Sequence, residues 1–496
     1  MNSLTPLWSF VSSWFNRFLR KDYAVTVSGW VPEVREFTRG MMAKHNVPGF
    51  AMAVAHDGVE IYAEGFGERA IGMGTLVTPD TVFGVASVTK SFTALAIMQL
   101  AEAGKLSVAD PVTRYLPEFR TPDPEATHAI TLHHFLSHTA GLPPLPSRFF
   151  AFARSMADDP AAGSKPTWSA DHAPIDTYED LMAYLAEGGY TLLGPPGAQF
   201  SYCNEGFALL GAIIERVSGQ PYEAYVQRHI LDPAGMTYST FDVATLRTFP
   251  EVVTFHAARE NNGQREIYAA PNWLYSCVWS PAGGLNSTVR DLLHYLEIYR
   301  TGGMVGDERL LSAEGVARMT TPHAPRSSPS FSYGYGLGVI PDYHGLKLIT
   351  HGGGRKGISA EVIAVPETGF TGAAIANLAG VPVATVTLAA LNRMLGLPIE
   401  TKIEEYVDVT CPSARLPMYA GTYRAGEGQN ITVTAEEGAL VYAFEGKRLV
   451  ARPVGEHAFV VNTETGETST HFLTADGAPA SAMAMGSRII PREEMQ

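Results

Sequence analysis

Apolar and polar positions change their period several times along the chain. From Val31 to His45 the apolar residues recur at helical spacing and stop ahead of Pro48, which predicts a helix. Gly49 to Gly67 reads as a hairpin. Phe50–Ala55 is one strand, His56-Asp57-Gly58 the turn and Val59–Gly65 the return. The run from Ser87 to Gly104 is apolar nearly all round, so it predicts a helix buried at the centre of the molecule. From Leu106 to about Tyr275 the chain reads as helices and loops, with short helices at 181–187 and 207–218, the second ended by Gly219. Residues 143–175 are rich in Pro, Ser, Ala and Asp and read as an irregular excursion, of the kind that often serves a function. Short β-branched runs return at 333–340, 346–350, 358–365 and 371–376, followed by a helix over 381–395.

Strand patterns at both ends of a long segment, with helices between, predict an α+β fold. One antiparallel sheet, flanked by helices, is assembled from the two ends, and the middle forms an inserted helical lobe. A cleft between sheet and lobe is the natural place for a site. After Thr401 the texture changes, and 418–491 holds only short strands and turns. We place boundaries so that 1–25 is a separate N-terminal segment, 26–412 the main domain, and 413–496 a small all-β domain, a barrel.

Composition narrows the function classes. With 36 Lys plus Arg against 50 Asp plus Glu, the net charge is −14, which argues against nucleic acid as a partner. Three cysteines are too few for a disulfide framework and point to a reducing, cytoplasmic setting. Leu7, Trp8, Val11, Trp14, Phe15, Phe18 and Leu19 predict an amphipathic helix, with Arg17, Arg20 and Lys21 beside and after them. Packing on the body or on another subunit is preferred for it, and contact with a membrane surface is the alternative. No stretch is long and apolar enough to span a bilayer. His134 and His138 are four apart, but the acidic partner of a zinc-binding helix is missing, so no metal and no cofactor are expected. Cys203 reads as a packing residue.

The chemistry centres on Ser87-Val88-Thr89-Lys90. Residues three apart share a helix face, so Lys90 stands beside the Ser87 hydroxyl. A lysine can take a serine proton only if burial or other cations lower its pKa. A second piece is Tyr202-Cys203-Asn204. There the phenol is a second candidate base, and the amide can hold the lysine or a substrate amide. A third is His351-Gly352-Gly353-Gly354, after a predicted strand. Its glycines let an acyl group lie against backbone, and it offers a second oxyanion donor beside the Ser87 N–H. Which of Lys90 and Tyr202 is the base stays open at this point.

These pieces, in this order, resemble the serine β-lactamase and penicillin-binding-protein family. The similarity is greatest to its class C-related branch of EstB-type esterases, LACTB-like proteins, D-alanyl-D-alanine carboxypeptidase-like enzymes and lovastatin-type acyltransferases. Leu136-Ser137-His138-Thr139-Ala140-Gly141-Leu142 and Ser280-Pro281-Ala282-Gly283-Gly284-Leu285-Asn286-Ser287-Thr288 support it over roughly residues 30–395. The tail, with Tyr419-Ala420-Gly421-Thr422-Tyr423, resembles the lipocalin-like domain that often follows these hydrolases. The resemblance implies that Ser87 is the nucleophile, Lys90 and Tyr202 share the proton work, and Asn204 positions. The Ser87 and Gly354 N–H groups form the oxyanion site, with Gly353 beside it. His351 stands where lactamases usually carry lysine. A neutral histidine binds a carboxylate less well, so anionic β-lactams are expected to be poor substrates. The expected activity is hydrolysis of an ester or amide in a small molecule or peptide through a Ser87 acyl-enzyme. An acyltransferase with the same intermediate is one alternative. The other is a non-catalytic scaffold that assembles into homo-oligomers.

Overall fold

The computed structural model describes residues 27–493 apart from 157–171, 262–263, 327, 329, 429, 445, 464–465 and 476. The amphipathic pattern at 7–19 and residues 157–171 of the excursion predicted at 143–175 lie outside the described residues, while the excursion's start carries two short helices, Ser147–Ala151 and Ala153–Met156.

Helix α1 (Val27–His45) leads into the hairpin β1 (Gly49–His56) and β2 (Val59–Gly67). Helix α2 (Thr89–Glu102) follows a single 3-10 turn, Ala86–Val88. The lobe contains α3 (Asn204–Ser218), closed by Gly219 in the left-handed conformation, as the helix-stop reading required. Helix α4 (Val289–Thr301) starts at a Thr288 cap, whose side chain accepts from Asp291 N–H. Late strands are β3 (Ala324–Pro325), β4 (Ser332–Tyr333), β5 (Gly338–Tyr343), β6 (Leu346–Arg355), β7 (Ile358–Val365) and β8 (Phe370–Ala376), then α5 (Ala384–Met394).

All these strands join one antiparallel sheet in the order β2-β1-β8-β7-β6-β5-β4-β3. The two ends of the segment therefore meet at β1–β8, where Met52 faces Ala374. Strand β1 is buried along almost its whole length because both of its faces are covered. Phe50, Met52 and Val54 pack towards α1 and α5, while Ala51, Ala53 and Ala55 pack towards the lobe side. Small residues on that side let helices approach closely.

Three local readings change. The strand read at 333–340 is two strands, β4 and β5. Between them Gly336, at φ +66°, comes so close to α2 that a Cβ there would lie 2.6 Å from the Lys90 carbonyl oxygen. Strand β6 continues past Thr350 through the glycines to Arg355. The middle segment, read without strands, holds a hairpin of His256–Asn261 with Gln264–Ala269.

Beyond a 3-10 segment (Ser413–Tyr419), eight short strands form a second antiparallel sheet. They are β9 (Gly421–Arg424), β10 (Asn430–Glu436), β11 (Ala439–Phe444), β12 (Lys447–Pro453), β13 (Ala458–Thr463), β14 (Gly466–Leu473), β15 (Ala482–Met485) and β16 (Arg488–Pro491). The first and last meet through Tyr423 and Arg492, and Glu493 N–H donates to the Thr422 carbonyl, so the barrel closes. Its interior is packed with Tyr423, Tyr442, Phe459, Phe472 and Met483.

Candidate active site

Ser87 sits, half-buried, in the 3-10 turn at the mouth of α2, close to the glycines of β6. Ala86, directly before it, is held at φ +45°, a conformation that costs a residue with a Cβ and that clusters at functional sites. The turn bends the chain so that Ser87 and Lys90 face each other across 3.3 Å, Oγ to Nζ.

Lys90 is completely buried. Its Nζ also donates to Asn204 Oδ1 at 2.9 Å and to the Ala282 carbonyl at 2.6 Å. Burial holds the amine well below its ordinary pKa, and the Arg488 guanidinium adds to the effect. A neutral amine has two N–H groups and one lone pair. Two of the three neighbours, Asn204 Oδ1 and the Ala282 carbonyl, can only accept. The lone pair is left for the Ser87 hydroxyl proton.

Tyr202 lies over the same group, with Lys90 Nζ 4.8 Å from its ring centroid. Its phenol is close enough to Ser87 for the serine to ease its ionisation, yet no hydrogen bond closes on the buried oxygen. Burial outweighs that help and pushes the phenol up. His138, 1% exposed and at φ +57°, packs against Tyr202 with centroids 4.0 Å apart and the rings tilted by 33°. Its Nδ1 accepts from Cys203 N–H, so this histidine orients the Tyr202–Asn204 turn. The buried Cys203 thiol is pushed up by its burial and faces Glu205, in keeping with the packing role read for it.

Strand β6 forms the opposite wall. Strand β5 pairs with it only up to Gly338 opposite Thr350, so beyond that point the edge is free. At Gly353 a Cβ would collide with the Val85 carbonyl and lie 3.3 Å from Ser87 N, so only glycine allows this approach. A Cβ at Gly354 would meet nothing within 4 Å, which leaves open space along the edge. His351 has Nδ1 2.7 Å from the Gly352 carbonyl and Nε2 2.8 Å from the Tyr333 hydroxyl. The carbonyl fixes a proton on Nδ1, so Nε2 accepts from Tyr333. Burial, helped by Lys90, takes the ring down to about 3, and it is neutral at pH 7.

The structure thus brings Ser87, Lys90, Tyr202, Asn204, His351, Gly353 and Gly354 into one cleft. It adds two residues that the sequence reading missed, both from the barrel. Arg488 lies with Cζ 4.5 Å from the Tyr202 centroid and pairs with Glu427 at 2.9 Å, in side chains 14% and 7% exposed. Glu427 accepts in turn from Asn204 Nδ2 at 3.4 Å. Burial works against the Glu427 carboxylate, but Arg488 more than offsets it and holds the group below its usual value. Tyr202 N–H donates to the Ser487 carbonyl at 2.9 Å, which ties the barrel to the site directly. No sequence pattern marks Glu427 or Arg488, because only the docking of two domains gives them meaning.

Among the described residues no group of three His, Cys, Asp or Glu side chains converges as a metal site, and no helix is long and apolar enough to cross a membrane.

The Beta-lactamase family profile matches residues 34–393, most of the chain. The protein therefore belongs to the β-lactamase and penicillin-binding-protein family, as the motifs implied. It is 28% identical over 346 residues to penicillin-binding protein 4 of Amycolatopsis lactamdurans, covering 68% of this chain and 82% of that one. It is 24% identical over 338 residues to protein flp of Staphylococcus aureus (strain MW2), covering 68% of this chain but only 61% of the relative. Among solved structures, the octameric penicillin-binding-protein homologue from Pyrococcus abyssi superposes with a TM-score of 0.67 at 27% identity, over 93% of this chain and 99% of that one. That similarity extends over the barrel as well as the main domain.

Proposed function

We propose that the protein is a serine hydrolase that cleaves an ester or amide through a Ser87 acyl-enzyme, with Lys90 as the general base. The observation that carries this reading is the buried Lys90 amine, whose other two neighbours are oxygens that can only accept. The Ser87 proton passes to Lys90 Nζ as Oγ attacks the carbonyl carbon. The resulting oxyanion is held by the Ser87 and Gly354 N–H groups. As the tetrahedral intermediate collapses, the bond to the leaving group breaks and Lys90 returns the proton to that group. Water then attacks the ester carbonyl, gives its proton to Lys90, and Ser87 leaves as a hydroxyl. Tyr202, protonated throughout, donates hydrogen bonds to this exchange. Asn204 holds Lys90, and Gly353 lets the strand edge reach the nucleophile.

The neutral His351 supports the esterase, peptidase and acyltransferase branch over a β-lactam specialist. Three unpaired cysteines support a reducing, cytoplasmic compartment. The octameric homologue supports homo-oligomeric assembly. A scaffold has no use for a desolvated lysine beside a serine, which counts against the non-catalytic alternative.

The test compares wild type with Ser87→Ala on p-nitrophenyl acetate and butyrate, a D-amino-acid p-nitroanilide and nitrocefin. Turnover of an ester or anilide by the wild type alone is expected, with nitrocefin poorest. Equal turnover by both proteins removes Ser87 from the mechanism. Adding an alcohol or amine acceptor and analysing the products separates hydrolysis from acyl transfer.

A further inference from the structure

The barrel and the main domain line an open pocket of about 840 Å³, within the range of ligand sites. Its charge runs against that of the molecule. In a chain of net charge −14, it is lined by Arg148, Arg265, Lys447 and Arg488, with Glu427 the one acid. Glu427 is already paired with Arg488. Arg148 comes from the short helix Ser147–Ala151 of the lobe, and its buried Nε has no hydrogen-bond partner. Arg265 comes from the hairpin that the sequence reading missed and is exposed. Phe444 and Leu449 of the barrel supply an apolar stretch of wall.

The pocket shares two of its lining residues with the reaction centre. Arg488 and Glu427 form part of its lining and also touch Tyr202 and Asn204, and Asn204 holds Lys90. An unpartnered guanidinium nitrogen out of water is costly unless an acceptor meets it. Planar guanidinium groups match carboxylate and phosphate.

We propose that this cavity is a substrate subsite for an anionic group carried away from the reacting carbonyl, a carboxylate or phosphate held by Arg148 and Arg265 with the apolar chain against Phe444 and Leu449. This rests on the acyl-enzyme reading for its orientation, but binding can be tested without catalysis. It is distinct from recognition at His351, on the opposite wall. It makes the barrel part of the substrate site, and selectivity for charge a property of the junction between the two domains.

The experiment has a binding arm and a kinetic arm, both on the full chain. In the first, Ser87→Ala protein is titrated calorimetrically with N-benzyl adipamate and with N-benzyl hexanamide, which differ essentially in the carboxylate. The anion is expected to bind about tenfold tighter at low salt. The advantage should shrink as salt is raised and be lost in a chain that also carries Arg148→Gln and Arg265→Gln. In the second, wild type and the Arg148→Gln/Arg265→Gln protein are compared on three charged esters and their neutral counterparts. The p-nitrophenyl half-ester of adipate is set against the hexanoate, 4-butyryloxybenzoate against phenyl butyrate, and 4-butyryloxyphenyl phosphate against phenyl butyrate. A wild-type preference in KM that the double substitution removes supports the subsite. The responding pair tells whether the anion sits on the acyl or the leaving side, and whether carboxylate or phosphate is preferred. Equal binding of the two amides, or a preference that survives the double substitution, overturns it. If the anion binds but no ester is turned over, the subsite stands and the acyl-enzyme reading fails.

Discussion

The two walls of the cleft handle buried charge in opposite ways. On the main-domain side, Lys90 is fully buried and its hydrogen-bond partners, Ser87, Asn204 and the Ala282 carbonyl, are neutral. A lysine there can shed its proton, and losing the charge is what makes it a base. On the barrel side, Arg488 cannot shed its proton, so it is buried only because Glu427 accompanies it. One wall supplies reactivity by discarding a charge; the other supplies a fixed field by keeping two. The lesson is that the barrel reaches the proposed active site, where Arg488 and Glu427 contact Tyr202 and Asn204 and bear on the Lys90 charge.

The largest effects break the reactive wall. Ser87→Ala and Lys90→Met should each lower kcat/KM for an ester by about 10³-fold or more, measured with p-nitrophenyl butyrate. Next is the close approach of β6. Gly353→Ala forces a Cβ into the Val85 carbonyl and should cost about 10- to 100-fold in kcat. Gly354→Ala, with open space around it, should leave folding intact and act mainly on KM for bulky substrates.

The pH profile tests the fixed field. On the proposed mechanism the neutral amine is the active form, so kcat/KM should rise with pH through a midpoint well below 10.5, the ordinary lysine value. Arg488 lowers the Lys90 pKa, and Glu427 raises it. Arg488→Met should therefore move this acid limb to higher pH, and Glu427→Gln to lower pH. Shifts of the same sign would show that the pair acts by holding shape alone.

The smallest effect is a stability change at the far end of β6. Arg355 is drawn down to about 10 by burial alone, its Nε has no partner, and no carboxylate pairs with it among the described residues. Arg355→Met should raise the melting temperature by about one degree, by calorimetry, because it removes a half-buried charge whose Nε has no partner.

Local signals in the sequence reach most of the main domain. Helix α3 with its Gly219 stop, the β1–β2 hairpin and β7 follow directly from apolar period and turn residues. The pairing of Ser87 with Lys90 follows from spacing, and Tyr202, Asn204 and His351 are singled out by their order in the motifs of the family the chain resembles; the structure places them near one another. What the sequence conceals is made by contacts between distant segments. The strand read at 333–340 breaks because Gly336 must pass close to α2, a constraint set by another helix. Strand β6 outruns its β-branched core because pairing with β7, not propensity, carries the glycines. The His256–Asn261 hairpin lacks a sustained apolar alternation. Glu427 and Arg488 sit in unremarkable barrel segments and gain a role only where the barrel meets Tyr202.

The most direct measurement is intact-protein mass after exposure to a fluorophosphonate, with the labelling rate followed against pH, for wild type and Ser87→Ala. The account predicts one adduct per wild-type chain on the peptide containing Ser87 and none on the variant. The rate should rise through a midpoint well below 10.5. Labelling of the variant at the wild-type rate, or an adduct on another residue, would contradict the claim that Ser87, activated by Lys90, is the nucleophile.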